Sequence, residues 1–245
     1  VMPCGSSVGI SLWCNGVLVV GLGNVDDGIR RRCPAHEAGI RTGDAIIAVN
    51  GEQVNGVGEL SAMVKSAGDS MRLRVRRNGS EFDCTVYPCV KDGEVLLGAW
   101  VRESTAGIGT LTFYTMSSMR FGALGHAVTD PDAGTMIEAK RGELSEASIV
   151  GVTHGEQGFP GEVRGTFSAV SKRLGAIDRN TRYGVFGEMY APLTSALYPE
   201  GVALAYPDEV ETGKATLLTS LEDGVTTEYE CEIITVSYTH LTLPT

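Results

Sequence analysis

Cys33-Pro34-Ala35-His36-Glu37-Ala38-Gly39-Ile40-Arg41-Thr42-Gly43-Asp44-Ala45-Ile46-Ile47-Ala48-Val49-Asn50-Gly51 decides how the first third of this chain folds. Pro34 stands inside the start of a single helical turn and Gly39 at its end, the asymmetry that helices favour. Gly43-Asp44 then makes a turn, Ile46, Ile47 and Val49 form a strand, and Asn50-Gly51 suits a turn needing positive φ. Further out, Leu60, Met63, Val64 and Ala67 fall at i, i+3, i+4 and i+7, which predicts a helix from Glu59 to Ala67 ended by Gly68. Arg72 to Arg76 and Phe82 to Val86 alternate as two strands joined by Asn78-Gly79. Upstream, Val17-Leu18-Val19-Val20 is one more short strand.

The run PA..AGI..GD.I..VNG resembles bacterial PDZ domains, and the resemblance covers residues 1–90. It implies an α+β module that adds a peptide as an extra strand beside an exposed edge, with backbone amides cradling a terminal carboxylate. Ser7-Val8-Gly9-Ile10-Ser11-Leu12 is the expected carboxylate loop and edge strand, and the helix is the opposite wall. The candidate peptide-binding residues are therefore Val8, Gly9, Ile10, Leu12, Leu60 and Val64. A module that packs against the rest of the chain and binds nothing is the alternative.

Three motifs here mimic catalytic signatures and fail on context. Gly5-Ser6-Ser7-Val8-Gly9 matches G-x-S-x-G, but that elbow needs a strand before the serine and a helix after it. Gly68-Asp69-Ser70 sits in a helix-to-strand turn, and Met71 stands where a glycine would be needed. His36-Glu37 opens like HExxH, yet the residue four after His36 is Ile40, so the second zinc ligand is missing.

The 245 residues suffice for one large or two ordinary domains. With 32 glycines and 7% aromatics, turn-rich β structure fits better than a helical bundle. A net charge of −10 argues against a nucleic-acid partner, and Arg30-Arg31-Arg32 is the only compact basic run. No apolar run approaches the 18 residues of a membrane span. The first residue is Val rather than Met, as expected of a fragment or processed product, which leaves an upstream signal or anchor open. Six cysteines show no CxxC pair and no zinc-ligand spacing; most read as small apolar residues in strands.

Beyond a short acidic linker, Lys91-Asp92-Gly93-Glu94, many short strands are expected: Gly109 to Tyr114, Arg120 to Val128, Met136 to Glu138, Ala147 to Thr153, Gly165 to Ser168, Gly201 to Ala205, Ala215 to Thr219 and Thr226 to Val236. Such spacing suggests a sandwich or barrel. Phe121-Gly122-Ala123-Leu124-Gly125-His126-Ala127-Val128-Thr129-Asp130 holds a lone histidine among small and apolar residues. It is a candidate general base, or else a half-buried histidine at a strand end.

With Ala106-Gly107-Ile108-Gly109-Thr110-Leu111-Thr112-Phe113-Tyr114, this stretch resembles the SpoIVB peptidase family, sporulation serine peptidases with a PDZ domain ahead of the catalytic one. The resemblance runs from Val1 to about Val236. It implies a mainly β chain: the PDZ domain, then at 99–236 an incomplete chymotrypsin-like double β-barrel. It makes His126 the base and places the orienting aspartate and nucleophilic serine further along, in a G-x-S-G-S-P type segment that these residues lack. Asp130 lies about 13 Å along an extended strand from His126 and reads instead as the first residue of a turn. His154 sits in a polar glycine loop.

The implied activity is cleavage of a regulatory protein, leading to late sigma-factor activation, between the forespore and mother-cell membranes. The expected partners are a protein substrate and a C-terminal or internal peptide at the PDZ groove, with membrane contact only through a missing N-terminal anchor. Neither metal nor organic cofactor is implied. A PDZ-bearing peptide-binding or scaffold protein without catalysis is the other reading. Residues 237–245, with Ser237 and His240, resemble translated adapter sequence and read as a non-native tail.

Overall fold

The computed structural model describes residues 1–26, 28–159, 161–193, 197–222 and 224–236. The expected non-native tail lies outside the described residues. The fold is mainly β, 56% strand and 7% helix. The first part holds β1 (Met2–Leu22), β2 (Val25–Asp26), β3 (Arg31–Arg32), α1 (Pro34–Glu37), β4 (Ala45–Val49), β5 (Glu52–Gln53), α2 (Val57–Ser66), β6 (Met71–Arg77) and β7 (Ser80–Val86). The rest holds β8 (Cys89–Lys91), β9 (Glu94–Leu96), β10 (Ala99–Tyr114), β11 (Arg120–Ala123), β12 (Ala139–Glu146), β13 (Ser148–Thr153), β14 (Glu162–Thr166), β15 (Arg173–Thr181), β16 (Gly184–Met189), β17 (Gly213–Glu222) and β18 (Val225–Ile233). No helix among these residues is long and apolar enough to cross a membrane.

The opening motif folds as its residues dictate. Asn50 and Gly51 take φ of 51° and 91°, and Asn78 and Gly79 take 50° and 78°, closing the two predicted turns. Asp44 is buried because three donors meet it: the Arg41 amide at 2.8 Å and the Arg77 guanidinium at 2.6 and 2.7 Å. Val17, Val19, Ile40, Ile46, Val49, Leu60, Val64, Leu73, Val75 and Val86 form the core beneath.

The second unit is a barrel. Strands β10, β11, β16, β15, β12 and β1 pair in that order, and β1 pairs back onto β10, closing a six-stranded antiparallel ring. Val8, Ile10, Leu12, Leu111, Tyr114, Phe121, Leu144, Ile177 and Val185 fill it. Each such aliphatic side chain contributes about 1.5–3 kcal/mol by leaving water.

Two strands belong to both units. β1 lies in the barrel over Val8–Cys14, between β10 and β12, then crosses into the first module, where Val17 and Leu18 pair with Ile46 and Ala45. β10 follows it, with Ala99–Arg102 against Leu18–Leu22 and Ala106–Tyr114 in the barrel. β1, before the expected division at residue 90, and β10, after it, are therefore shared by the two units. Val8, Gly9, Ile10 and Leu12 are not a groove edge. Both sides of that segment are already paired, Val8, Ile10 and Leu12 point into the barrel core, and a Cβ on Gly9 would sit 2.4 Å from the Phe167 ring.

Other strands fall near or away from expectation. β10, β13, β17 and β18 contain or closely overlap predicted ones, whereas 136–138 and 201–205 are not strands. β12, β15 and β16 were not foreseen.

Candidate functional site

Two features carry chemistry: a groove on the first module and the loop that bears His126. The groove lies between α2 and the segment 95–101, with a cavity of about 390 Å³ lined by Gly23, Val57, Leu60, Val64, Leu97 and Trp100 among others. Leu60 and Val64 thus stand where the sequence put them. The strand facing them is the start of β10 and not Val8–Leu12. Ala99–Arg102 use one side to pair with β1, and among the described residues no strand pairs with the other side.

Backbone geometry at the head of this edge follows from peptide planarity. The Leu97 carbonyl accepts from the Ala35 amide at 2.8 Å, and the Gly98 carbonyl from the Gly23 amide at 2.9 Å. In a trans peptide the C=O and the next N–H point oppositely, so the amides of Gly98 and Ala99 face away from those partners. Gly98 has φ 71°, and a Cβ there would lie 2.5 Å from the Gly23 oxygen, so glycine is required. Further along, Glu103 accepts the Val57 amide at 2.5 Å. It satisfies the first turn of α2, whose N-cap, Gly56, has no side chain to do so.

His126 is presented by a broken strand. β11 ends at Ala123 because Leu124 takes φ 64°, a left-handed conformation costly for a bulky residue. Gly109 makes the turn possible: a Cβ there would be 2.5 Å from Leu124 Cδ2. The expected strand to Val128 is therefore cut short, and Gly125 and His126 stand exposed beyond the barrel wall.

The imidazole of His126 has Nδ1 2.9 Å from the Ala127 carbonyl oxygen. A carbonyl only accepts, so Nδ1 carries the proton and the neutral ring keeps its lone pair on Nε2. Among the described residues no serine hydroxyl or cysteine thiol is hydrogen-bonded to His126.

Asp130 does not orient this ring. It is fully buried as the first residue of a turn, as its sequence suggests, accepting the amides of Asp132 and Ala133 at 2.9 Å each and Arg102 Nη1 at 2.6 Å. Arg102 reaches on to Asp132 at 2.8 Å. Thus β10 ties the groove edge to the segment after His126. That segment also touches the first module through Glu138 to Arg76 at 3.3 Å and Thr135 against Gly43. His154 is exposed in its loop, as read.

Sequence reasoning missed Arg102 and Asn180. Arg102 left one signal, a charged residue flanked by Trp100 and Val101 inside a strand. Asn180 left none.

The fold thus joins a PDZ module to a closed six-stranded antiparallel barrel. A PDZ family model matches residues 25–77, and the model for SpoIVB peptidase S55 matches 93–242. That second match covers more than half of the chain, and the chain belongs to the SpoIVB peptidase S55 family.

Among curated proteins, one from Mesorhizobium japonicum, whose name calls it a zinc metalloprotease (mll0638), is 32% identical over 76 residues, 31% of this chain and 21% of that protein. Proteins of similar name from Brucella suis biovar 1 and Brucella melitensis biotype 1 are each 30% identical over 84 residues, 34% of this chain and 22% of theirs. The chain spans about a fifth of the length of these relatives.

Proposed function

We propose that this chain supplies the PDZ module and the general base of a serine endopeptidase, one that cleaves a regulatory protein in sporulation signalling leading to late sigma-factor activation. The proposed location is extracytoplasmic, between the forespore and mother-cell membranes. Membership of a peptidase family supports the reaction class. The observation that carries the role of His126 is the bond from its Nδ1 to the Ala127 carbonyl, which in the neutral ring places the lone pair on Nε2 of an exposed side chain. A base so arranged can take a proton from a serine hydroxyl and return it to the leaving amine. The serine itself is proposed to come from residues outside those described.

The PDZ groove is proposed to take an extended peptide between α2 and the free side of Ala99–Arg102, its terminal carboxylate at the Gly98 and Ala99 amides. The relatives' name points toward zinc. In this chain Ile40 replaces the second histidine of HExxH, and among the described residues no group of three His, Cys, Asp or Glu side chains is placed to hold a metal ion.

Titration of the chain with peptides ending in a free carboxylate tests the groove. Val64→Asp should weaken binding more than tenfold, and equal binding to both proteins would refute the assignment. For catalysis, His126→Ala in the cleaving gene product should lower the rate about 10²–10⁴-fold, while His154→Ala changes little. Equal behaviour of the two would remove His126 from the mechanism. A fluorophosphonate probe should label no serine of the 245-residue chain; stoichiometric labelling would show a nucleophile within it.

A further inference from the structure

Asn180 sits near the end of β15 and sends its side chain across 52 residues to the loop after His126. Its Oδ1 accepts the Val128 amide at 2.9 Å. Its Nδ2 donates to the Val128 carbonyl at 2.8 Å and the Ile137 carbonyl at 2.9 Å. Three bonds of fixed polarity leave the amide group one orientation, since a flip would set oxygen against two carbonyls and NH2 against an N–H.

The Val128 N–H and the Ala127 C=O belong to one peptide unit. They lie in one plane and point oppositely. Asn180 grips the first; the second is the acceptor that holds His126 Nδ1–H. A continuous series results: Asn180 Oδ1, the Val128 N–H, the Ala127 C=O, then the imidazole. Hydrogen bonds in series polarise one another, so the grip also strengthens the carbonyl as an acceptor.

We infer that Asn180 is a positioning residue for His126, acting through the Ala127–Val128 peptide unit to fix the ring and its Nδ1–H tautomer. This rests on the reading of His126 as a base, since only then does the tautomer matter for the reaction. In serine peptidases a carboxylate usually does this work. Asp130 is unavailable for it, its oxygens being committed to Arg102 and to two amides. Within the described residues the acceptor at Nδ1 is the Ala127 carbonyl, held from behind by Asn180.

The test reads the tautomer directly. In the whole chain with 15N-labelled histidine, the four imidazoles give separate Nδ1 and Nε2 signals at a pH where they are neutral, and His126→Gln assigns one set. The unmodified protein should show His126 with a protonated Nδ1 and an unprotonated Nε2. Asn180→Ala should convert this to a mixture of tautomers and speed exchange of the Val128 amide about tenfold, the loss of one net hydrogen bond. His36 and His154 should not change.

Asn180→Asp keeps an acceptor for the Val128 amide, so it should retain the Nδ1–H tautomer although both donor bonds are gone. It sets a second oxygen against the Val128 and Ile137 carbonyls, so the tautomer of the unmodified protein is the readout that stands if neither variant folds. An Nε2–H tautomer in the unmodified protein would overturn the inference. So would a folded Asn180→Ala with an unchanged tautomer, or a folded Asn180→Asp that loses it. None of these readouts depends on cleavage. If His126→Ala spared proteolysis, the reading of His126 as a base would fail while the tautomer result stood.

Discussion

Removing the Arg102 side chain tests how the His126 segment is held. Asp130 has no exposed surface, and among the described residues Arg102 Nη1 is the one cationic donor to it, at 2.6 Å. In Arg102→Ala the carboxylate keeps two amide donors and loses its counter-charge. Breaking a buried pair this way costs about 3–5 kcal/mol. Arg102 itself is 34% exposed, so water enters where it leaves, and solvent screening reduces the cost to about 2–3 kcal/mol. The bond to half-exposed Asp132 adds little. For a chain of this size, about 2–4 °C per kcal/mol gives a loss of about 4–12 °C in Tm, read by scanning calorimetry. High salt should leave much of the difference intact, because the stranded Asp130 carboxylate has no exposed surface. Arg102→Ala with Asp130→Asn should recover part of the loss, since no buried charge is then stranded. A shift below about 2 °C in Arg102→Ala, or full additivity in the double variant, would refute this account of the joint.

Two further predictions follow from the shared strands and the buried thiols. Calorimetry of the whole chain should show one transition, and residues 25–90 cut out alone should not fold, because they lack Val17 and Val19; two well-separated transitions would contradict this. Burial pushes the Cys4 thiol up to about 11, against a backbone hydrogen bond from Tyr114 that lowers it, and burial with the Asp130 charge pushes Cys14 up to about 11. Both then stay protonated in the folded chain after the unfolded chain has begun to ionise. Their contribution is complete below pH 9 and lost as pH rises toward 11, so stability should fall over that window, and iodoacetamide at pH 8 should reach exposed Cys231 well before either. Rapid modification of native Cys14 would be inconsistent with its burial.

The first module was legible because its signals are local. A proline inside a helix start, Gly-Asp before a strand and Asn-Gly at two turns act on neighbours in sequence, and each turned the chain as expected. The helix ran Val57–Ser66 against a predicted Glu59–Ala67, a shift at the ends only. The ends of the module were illegible because they are made by pairing at a distance. Alternation in Val8, Ile10 and Leu12 announces a strand with one buried face, and says nothing of whether the partner is a peptide or residues 105–109 and 142–146. β12 and β15 escaped notice for a related reason: Lys140-Arg141 and Asp178-Arg179 put charge into strands whose burial comes from the closed ring.

His126 was found through resemblance, and its surroundings explain why residue type alone left it open. What makes the ring distinctive is a left-handed Leu124 fitted over Gly109, and an asparagine 54 positions later that grips the next peptide unit. Neither leaves a pattern near His126 in the sequence. The same holds for the groove, whose second wall lies 33 residues past the end of α2. Both features converge on β10: its first residues edge the groove, Glu103 caps α2, Arg102 anchors the turn after His126, and Gly109 admits Leu124. A peptide added beside Ala99–Arg102 would therefore pair with the strand that anchors the His126 segment. On the proposed reading, peptide binding and catalysis would share that one strand.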